Sequence, residues 1–373
     1  METVEDVVIV GAGIAGLATA VALKRVGVRS LILEKSETLR STGAALTLTP
    51  NAWLALDALG VSHKLNALYT PFTRSVHRKA LLEALAEELP ADSIRFSSKF
   101  TSIEQHKLGD ASIVVLIGCD GVHSVVAKWL GLSAPVHSGQ AAVRGLAVFP
   151  QGHGFNKEVT QFKDVGKGAG FVPLNVKELY WFFTCPEGEN MARDPQLIQK
   201  EVIEKYAYNF PSQFLDVVRH ADLSNLTWAP LLLRQPWNVI FGNLSKGNIT
   251  VAGDAMHPMT SHLAQGGCSA LEDAVVLGRH IGNSFIKNGR LLVSEEMARA
   301  LDGYVKERRW RAATLITASF LSTWMQQGGS QWWKKVFYAF IFPKLSNVAR
   351  YDCGTLPSVS ASAELQHYSN KSD

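Results

Sequence analysis

Three glycines, one acid and two short glycine–aspartate pairs stand out in this chain as a set able to bind a phosphate-bearing ligand. Gly11, Gly13 and Gly16 stand in Gly11-Ala-Gly-Ile14-Ala15-Gly16, directly after the apolar run Val7–Val10 and ahead of a helical pattern from Leu17 to about Val26. A second apolar run, Ser30–Leu33, ends on Glu34, 18 residues after Gly16, with Lys35 next. Strand, glycine turn, helix and second strand in this order make a phosphate-binding unit. The first glycine allows a tight turn, the second lets backbone approach a pyrophosphate, and the third lets helix and strand pack closely. The helix start adds free N–H groups and a partial positive charge. Glu34 can accept from a ribose hydroxyl, and its charge argues against a 2′-phosphate there. The unit predicts a bound dinucleotide and leaves FAD, NAD and NADP open.

Two further segments follow short apolar strands. Cys119-Asp120-Gly121 succeeds Ser112–Ile117, and Gly253-Asp254 succeeds Asn248–Val251. Gln265-Gly266-Gly267 then opens a helix. Each polar residue also has a structural reading. Asp120 could be a turn or cap residue and Asp254 a helix cap. Arg78 could be a solvated helix charge, and Arg40 is a loop arginine. His257 is placed as well for packing in its loop as for catalysis. His63, His77 and His106 sit in polar surroundings, His123 and His262 are weaker candidates than His257, and no metal site is expected. The run Lys306–Arg311 reads as a solvated helix face.

These residues need elements to hold them. The pattern predicts a short strand at Ala44–Leu48, and a helix at Asn51–Leu59 with Pro50 at its start and Gly60 after it. Leucines at helical spacing mark Thr73–Leu89, stopped by Pro90, and Ile94–Ile103 reads as a strand. From about Val136 to Leu233 the texture changes to alternating runs such as Ala141–Phe149 and Leu179–Thr184, the pattern of antiparallel strands with one covered face. Helical stretches return at Ser269–Ile281 and Glu295–Met325.

Length 373 suggests two domains, and 47% apolar residues suffice for a large core. The net charge of +4 implies no nucleic-acid partner. Cys119, Cys185, Cys268 and Cys353 are far apart, which suggests neither zinc nor disulfides and fits a reducing compartment. Val7–Leu23 is uncharged but short of a bilayer span, is interrupted by glycines and follows acids, so it does not read as a targeting segment; a cytoplasmic protein is expected. The aromatic segment Gln331–Pro343 reads as a helix packed on the body, or as an interfacial membrane helix flanked by Lys334, Lys335 and Lys344.

With all three motifs in hand, the chain resembles the single-component FAD-dependent aromatic hydroxylases, which share the para-hydroxybenzoate hydroxylase fold. Within them it is most similar to the plant FAD-dependent monooxygenases related to salicylate hydroxylase and zeaxanthin epoxidase. The resemblance runs from Val4 to about Gly354. It implies an α/β chain: a discontinuous Rossmann-like FAD-binding domain at 1–135 and 235–325, an inserted, shortened antiparallel-sheet substrate domain at 136–234, and a helical C-terminal segment with a flexible tail at 326–373. It implies that Gly11, Gly13, Ile14, Ala15 and Gly16 hold the FAD pyrophosphate and that Glu34 and Lys35 meet the adenosine ribose. Arg40, Arg78, Asp120 and Gly121 would contact the cofactor, Gly253 and Asp254 the ribityl chain. Gln265, Gly266 and Gly267 would put N–H groups near the flavin N1–C2=O, where negative charge develops on reduction.

The implied activity is a monooxygenase. NADH or NADPH reduces FAD, a flavin C4a-hydroperoxide forms with O2, and one oxygen atom passes to a small aromatic or apolar metabolite. The substrate pocket would be lined by Arg144, Phe171, Trp181 and Phe183, with His257 near the flavin face. Two departures stand out. Ala264 replaces the glycine usual before Gln265, where a positive φ would strain it. The bridges Thr70–Val76 and Glu104–Ser112 are shorter than in the family. A non-oxygenating FAD oxidoreductase, or a non-catalytic relative, is the alternative.

Overall fold

The computed structural model describes residues 6–39, 45–66, 75–104, 115–188, 193–326 and 347–358. Val7–Val10 forms β1, buried at every position, and α1 (Ile14–Arg25) follows the glycine turn. α1 is buried from Ile14 through Leu23, which explains why its sequence is apolar all round rather than striped. Next come β2 (Leu31–Leu33), β3 (Ala45–Thr47), α2 (Pro50–Ala58), α3 (Ser62–Asn66), β4 (Ser75–His77), α4 (Arg78–Ala86), β5 (Ile94–Arg95), β6 (Val115–Gly118) and α5 (Val125–Trp129). The middle of the chain gives β7 (Val136–Val148), β8 (Thr160–Asp164), β9 (Lys167–Pro173), β10 (Glu178–Pro186), α6 (Pro195–Glu201), α7 (Ser212–Arg219) and β11 (Thr227–Leu233). It closes with α8 (Pro236–Ile240), β12 (Ser245–Lys246), β13 (Ile249–Val251), α9 (Gln265–Lys287) and α10 (Ser294–Gln326).

The strands form a six-stranded sheet in the order β12-β13-β6-β1-β2-β5 and a five-stranded sheet in the order β11-β7-β10-β9-β8; β3 and β4 pair separately. The first sheet is parallel except at its β12 edge, and the second is antiparallel throughout. β1 lies between β2 and β6, so the glycine turn and the Asp120 segment leave neighbouring strand ends. β13 adds the Gly253 turn beside β6. Helix α9 packs on both α1 and α10, and all of these join one apolar core. A second core lies between the five-stranded sheet and α7, where Phe171, Trp181 and Phe183 meet Phe214, Val217 and Val218.

Several expected elements change extent. The strand expected over Ile94–Ile103 stops at Arg95, because Ser97 turns the chain with φ 52 and its N–H donates to the Ser36 carbonyl. The Thr73–Leu89 helix begins only at Arg78, because Ser75–His77 pairs with β3. α9 starts four residues before the expected Ser269. Arg40, the aromatic segment Gln331–Pro343, and most of Thr70–Val76 and Glu104–Ser112 lie outside the described residues. No helix among the described residues is long and apolar enough to cross a membrane.

Candidate functional site

The three motifs meet through close backbone approaches that only small residues permit. Gly11 has φ +101, and a Cβ there would come within 2.6 Å of the Cys119 carbonyl oxygen. A Cβ on Gly16 would fall inside contact distance of the Gly11 carbonyl oxygen. Gly253 faces the Ala15 methyl, 2.7 Å from where its own Cβ would be, and Gly267 faces Ile14. Gly13 differs: nothing lies within 4 Å of its missing Cβ. It caps α1 and borders open space.

That space is a cavity of about 670 Å³. One wall carries Gly13, Ile14, Ala15, Cys119, Gly121, Asp254, Gly266 and Gly267, with Arg78 at the start of α4. The opposite wall is the five-stranded sheet, with Ala142 and Arg144 on β7, Gln161 on β8, Val172 on β9, and Tyr180, Phe182 and Thr184 on β10. The 260–263 loop and the end of α10 close one end, through Thr260, His262, Ser322 and Met325. Burial pushes the Tyr180 hydroxyl up in pKa, opposed by Arg144, and pushes the Cys119 thiol well up, so neither ionises readily.

The cofactor-side residues fit an extended dinucleotide. Gly13 leaves a cradle that a Cβ would fill, and the first N–H groups of α1 have no helical acceptor. Ser124 is the N-cap of α5, and Asp120 Oδ2 accepts from the helix's first N–H, that of Val125, at 2.6 Å, while its buried Oδ1 has no partner among the described residues. Glu34 is buried and stands off the cavity. Its Oε2 accepts from Ala12 N–H at 2.8 Å and its Oε1 from Ser36 N–H at 2.9 Å, which braces the glycine turn. Lys35 is exposed and does not line the cavity.

The substrate-side expectations need correction. Phe171, Trp181 and Phe183 are fully buried in the second core and do not line the cavity. Strand side chains alternate between faces, and in the ladder Arg144 stands opposite Phe182, while Trp181 stands opposite Gly145. Whatever shares Arg144's face is therefore Phe182, with Tyr180 and Thr184 two positions to either side. His257 is also removed from the cavity; its Nε2 lies 2.5 Å from Asp273 Oδ2, and the residue is fully buried.

Lys306–Arg311 is a solvated face only in part: Lys306 and Trp310 are exposed, but Arg308 turns inward. Arg308 is fully buried, with Nε donating to Asp273 Oδ1 at 2.7 Å and a terminal nitrogen to Glu272 Oε2 at 2.6 Å. Arg311 donates to both Glu272 oxygens, at 2.8 and 3.2 Å. Burial alone would raise the Asp273 carboxyl, but His257 and Arg308 beside it pull harder and hold it at about 2. Glu272 is likewise held below the usual range by Arg308 and Arg311 against burial. Asp273 Oδ2 also accepts from Gly253 N–H at 2.8 Å. Asn51 donates to Glu272 Oε1 at 2.5 Å and to Gln265 Oε1 at 3.0 Å, and Gln265 Nε2 donates to Thr49 Oγ1. The Gln265 side chain is thus tied to α2, leaving only its backbone for the cavity. Buried Arg234 holds the Gly253 turn from the other side, donating to the Met256, Ala255 and Ser133 carbonyls. Ala264, the N-cap of α9, has φ 53, the strained left-handed geometry expected of it.

Comparison with known proteins agrees with this geometry. The profile of the family described as "FAD binding domain" matches residues 5–81 and 75–319. Monooxygenase 2 of Arabidopsis thaliana is 40% identical over 398 residues, covering 94% of this chain and 98% of the relative. The aligned length exceeds this whole chain, so that relative carries segments without a counterpart here. An FAD-dependent urate hydroxylase of Klebsiella pneumoniae is 25% identical, covering 73% of this chain and 80% of its own. Among solved structures, Klebsiella pneumoniae HpxO complexed with FAD and uric acid superposes with a TM-score of 0.75 at 22% identity, covering 94% and 96% of the two chains.

Proposed function

This chain belongs to the FAD-binding domain family of aromatic-hydroxylase-like monooxygenases, and from that premise we propose that it uses NAD(P)H and O2 to hydroxylate a small, flat, anionic ring compound. The observation that carries this is the single cavity shared by the glycine motifs and by Arg144, Phe182 and Tyr180. Bound FAD would supply the two-electron exchange and oxygen activation, so that substrate, O2, NAD(P)H and a proton give hydroxylated substrate, water and NAD(P)+.

The protein's part is binding, orientation and exclusion of water. Gly11, Gly13, Ile14, Ala15 and Gly16 with the α1 N-terminus would take the pyrophosphate. Glu34 would accept from a ribose hydroxyl at the end of β2, with Lys35 beside it. Asp254 would accept from the ribityl chain, beside Gly253. Arg78, Asp120 and Gly121 would border the cofactor, and the N–H groups of Gln265, Gly266 and Gly267 would face the flavin N1–C2=O. Arg144 is half-buried beside the rings of Phe182 and Tyr180. Among the described residues lining the cavity, Asp254 is the one carboxylate, against Arg78, Arg144 and Lys163. That balance supports an anionic substrate, of the size of the uric acid bound by HpxO.

Residues 136–234 would act as the substrate domain against a cofactor domain at 1–135 and 235–325. Four free, buried cysteines support a reducing cytoplasmic location. A peripheral membrane contact through Gln331–Pro343 is testable by vesicle co-sedimentation. The main test is substrate-stimulated NAD(P)H consumption with product analysis across ring carboxylates and acidic heterocycles. Arg144→Gln should raise KM about 10- to 100-fold with FAD retained, the loss of a charged hydrogen bond. An unchanged KM would exclude the anionic substrate. Loss of all reducing equivalents as hydrogen peroxide would favour the oxidase reading.

A further inference from the structure

The cavity explains the first turn of α9 but not the ion network beneath it. Glu272 and Asp273 are fully buried on that helix, seven and eight residues beyond Gln265, or about 10 Å along its axis. Two carboxylates at that depth oppose the positive end of the helix, the end that faces the cavity. Two guanidiniums from α10 answer them, Arg308 bonded to both and Arg311 bonded to Glu272. The four formal charges cancel. The network also reaches both segments at the cavity wall: Asp273 takes the Gly253 N–H, and Glu272 shares Asn51 with Gln265.

We infer that Arg308 and Arg311 are positioning and charge-balancing residues for the bound flavin. By neutralising Glu272 and Asp273 they leave the N-terminal field of α9 uncancelled and so hold the flavin reduction potential up. The inference rests on the FAD reading above. Reduction adds an electron pair, and an uncompensated carboxylate about 10 Å behind the helix start, in a poorly screened interior, disfavours the reduced form. The same bonds fix the Gly253 turn and the α9 start, so the residues act through those segments and touch no substrate.

The test is the midpoint potential of the flavin-loaded full chain, by anaerobic reductive titration against a reference dye, with melting temperature followed in parallel. Arg308 is too central for a clean variant, so the substitutions fall on Arg311 and Glu272. Arg311→Gln should lower the equilibrium ratio of reduced to oxidised flavin about tenfold, about 30 mV for a two-electron couple. Glu272→Gln should move it the opposite way. The double variant should return close to the original value, and Arg311→Lys, which keeps the charge, should show little of the shift. A purely structural network would lower the melting temperature in every variant and leave the potential where it was, which overturns the inference. Shifts of the same sign in both single variants would overturn it too. If the unaltered protein holds no flavin, the FAD reading itself fails, and that outcome is visible before any variant is made.

Discussion

Behind one wall of the cavity the packing leaves no room for another atom: Gly11 lies against the Cys119 carbonyl, Gly16 against the Gly11 carbonyl and Gly253 against the Ala15 methyl. Along the other wall, side chains project from a sheet that carries aromatic rings on both faces. On β10, Tyr180 and Phe182 look into the cavity, while Trp181 and Phe183 look into the core against α7. At Gly11 and Gly16 this side has no tolerance, because an added methyl strikes a backbone carbonyl oxygen. The second wall tolerates change on one face and resists it on the other, although neighbouring positions hold chemically similar rings.

The contrast between the faces can be broken most severely at Trp181. Trp181→Ala should cost about 3–5 kcal/mol of stability by chemical denaturation, and the surviving folded fraction should keep its KM. A large KM change in a stably folded variant would put Trp181 on the wrong face. On the cofactor wall, Gly16→Ala should cost about 2–3 kcal/mol and strip the protein of flavin, read as flavin absorbance per chain. Retained flavin would mean the approach of α1 to the turn can relax. Phe182→Ala, one position from Trp181, should cost only about 1 kcal/mol, because the ring is half-buried, and should raise KM instead. The smallest effect tests the left-handed N-cap. Ala264→Gly should stabilise by about 1 kcal/mol in thermal melts, since glycine adopts φ 53 without a Cβ clash.

Legibility divides along the same line. Gly11, Gly13 and Gly16 state their steric purpose within six residues, and the strand before them and the helix after them are local patterns. Asp120 reads both as a turn or cap residue and as a cofactor contact; one of its oxygens accepts from Val125 N–H at the start of α5, and the other has no partner among the described residues. The strain at Ala264 also followed from one residue type at one kind of turn. The antiparallel sheet was readable as a sheet, but the choice of face was not. Val143-Arg144-Gly145 and Trp181-Phe182-Phe183 alternate equally well in either sense until their pairing is known, and a one-residue change of register exchanges the faces. The charged run at Arg308 looked like a solvated face because exposed helices carry such runs more often than buried ones do.

The glycine turn, the order of the three motifs and the family were thus legible from the residues alone, because a close backbone approach demands glycine and leaves that demand in a contiguous stretch. Only the tertiary structure decided which rings of β10 face the cavity, that His257 and Gln265 turn away into hydrogen bonds, and that Arg308 is buried with two carboxylates. Those outcomes depend on partners far along the chain: Asn51 meets Glu272 across 221 positions, and Arg308 meets Asp273 across 35. A buried charge is stable only where such partners converge, and convergence is a property of the folded chain.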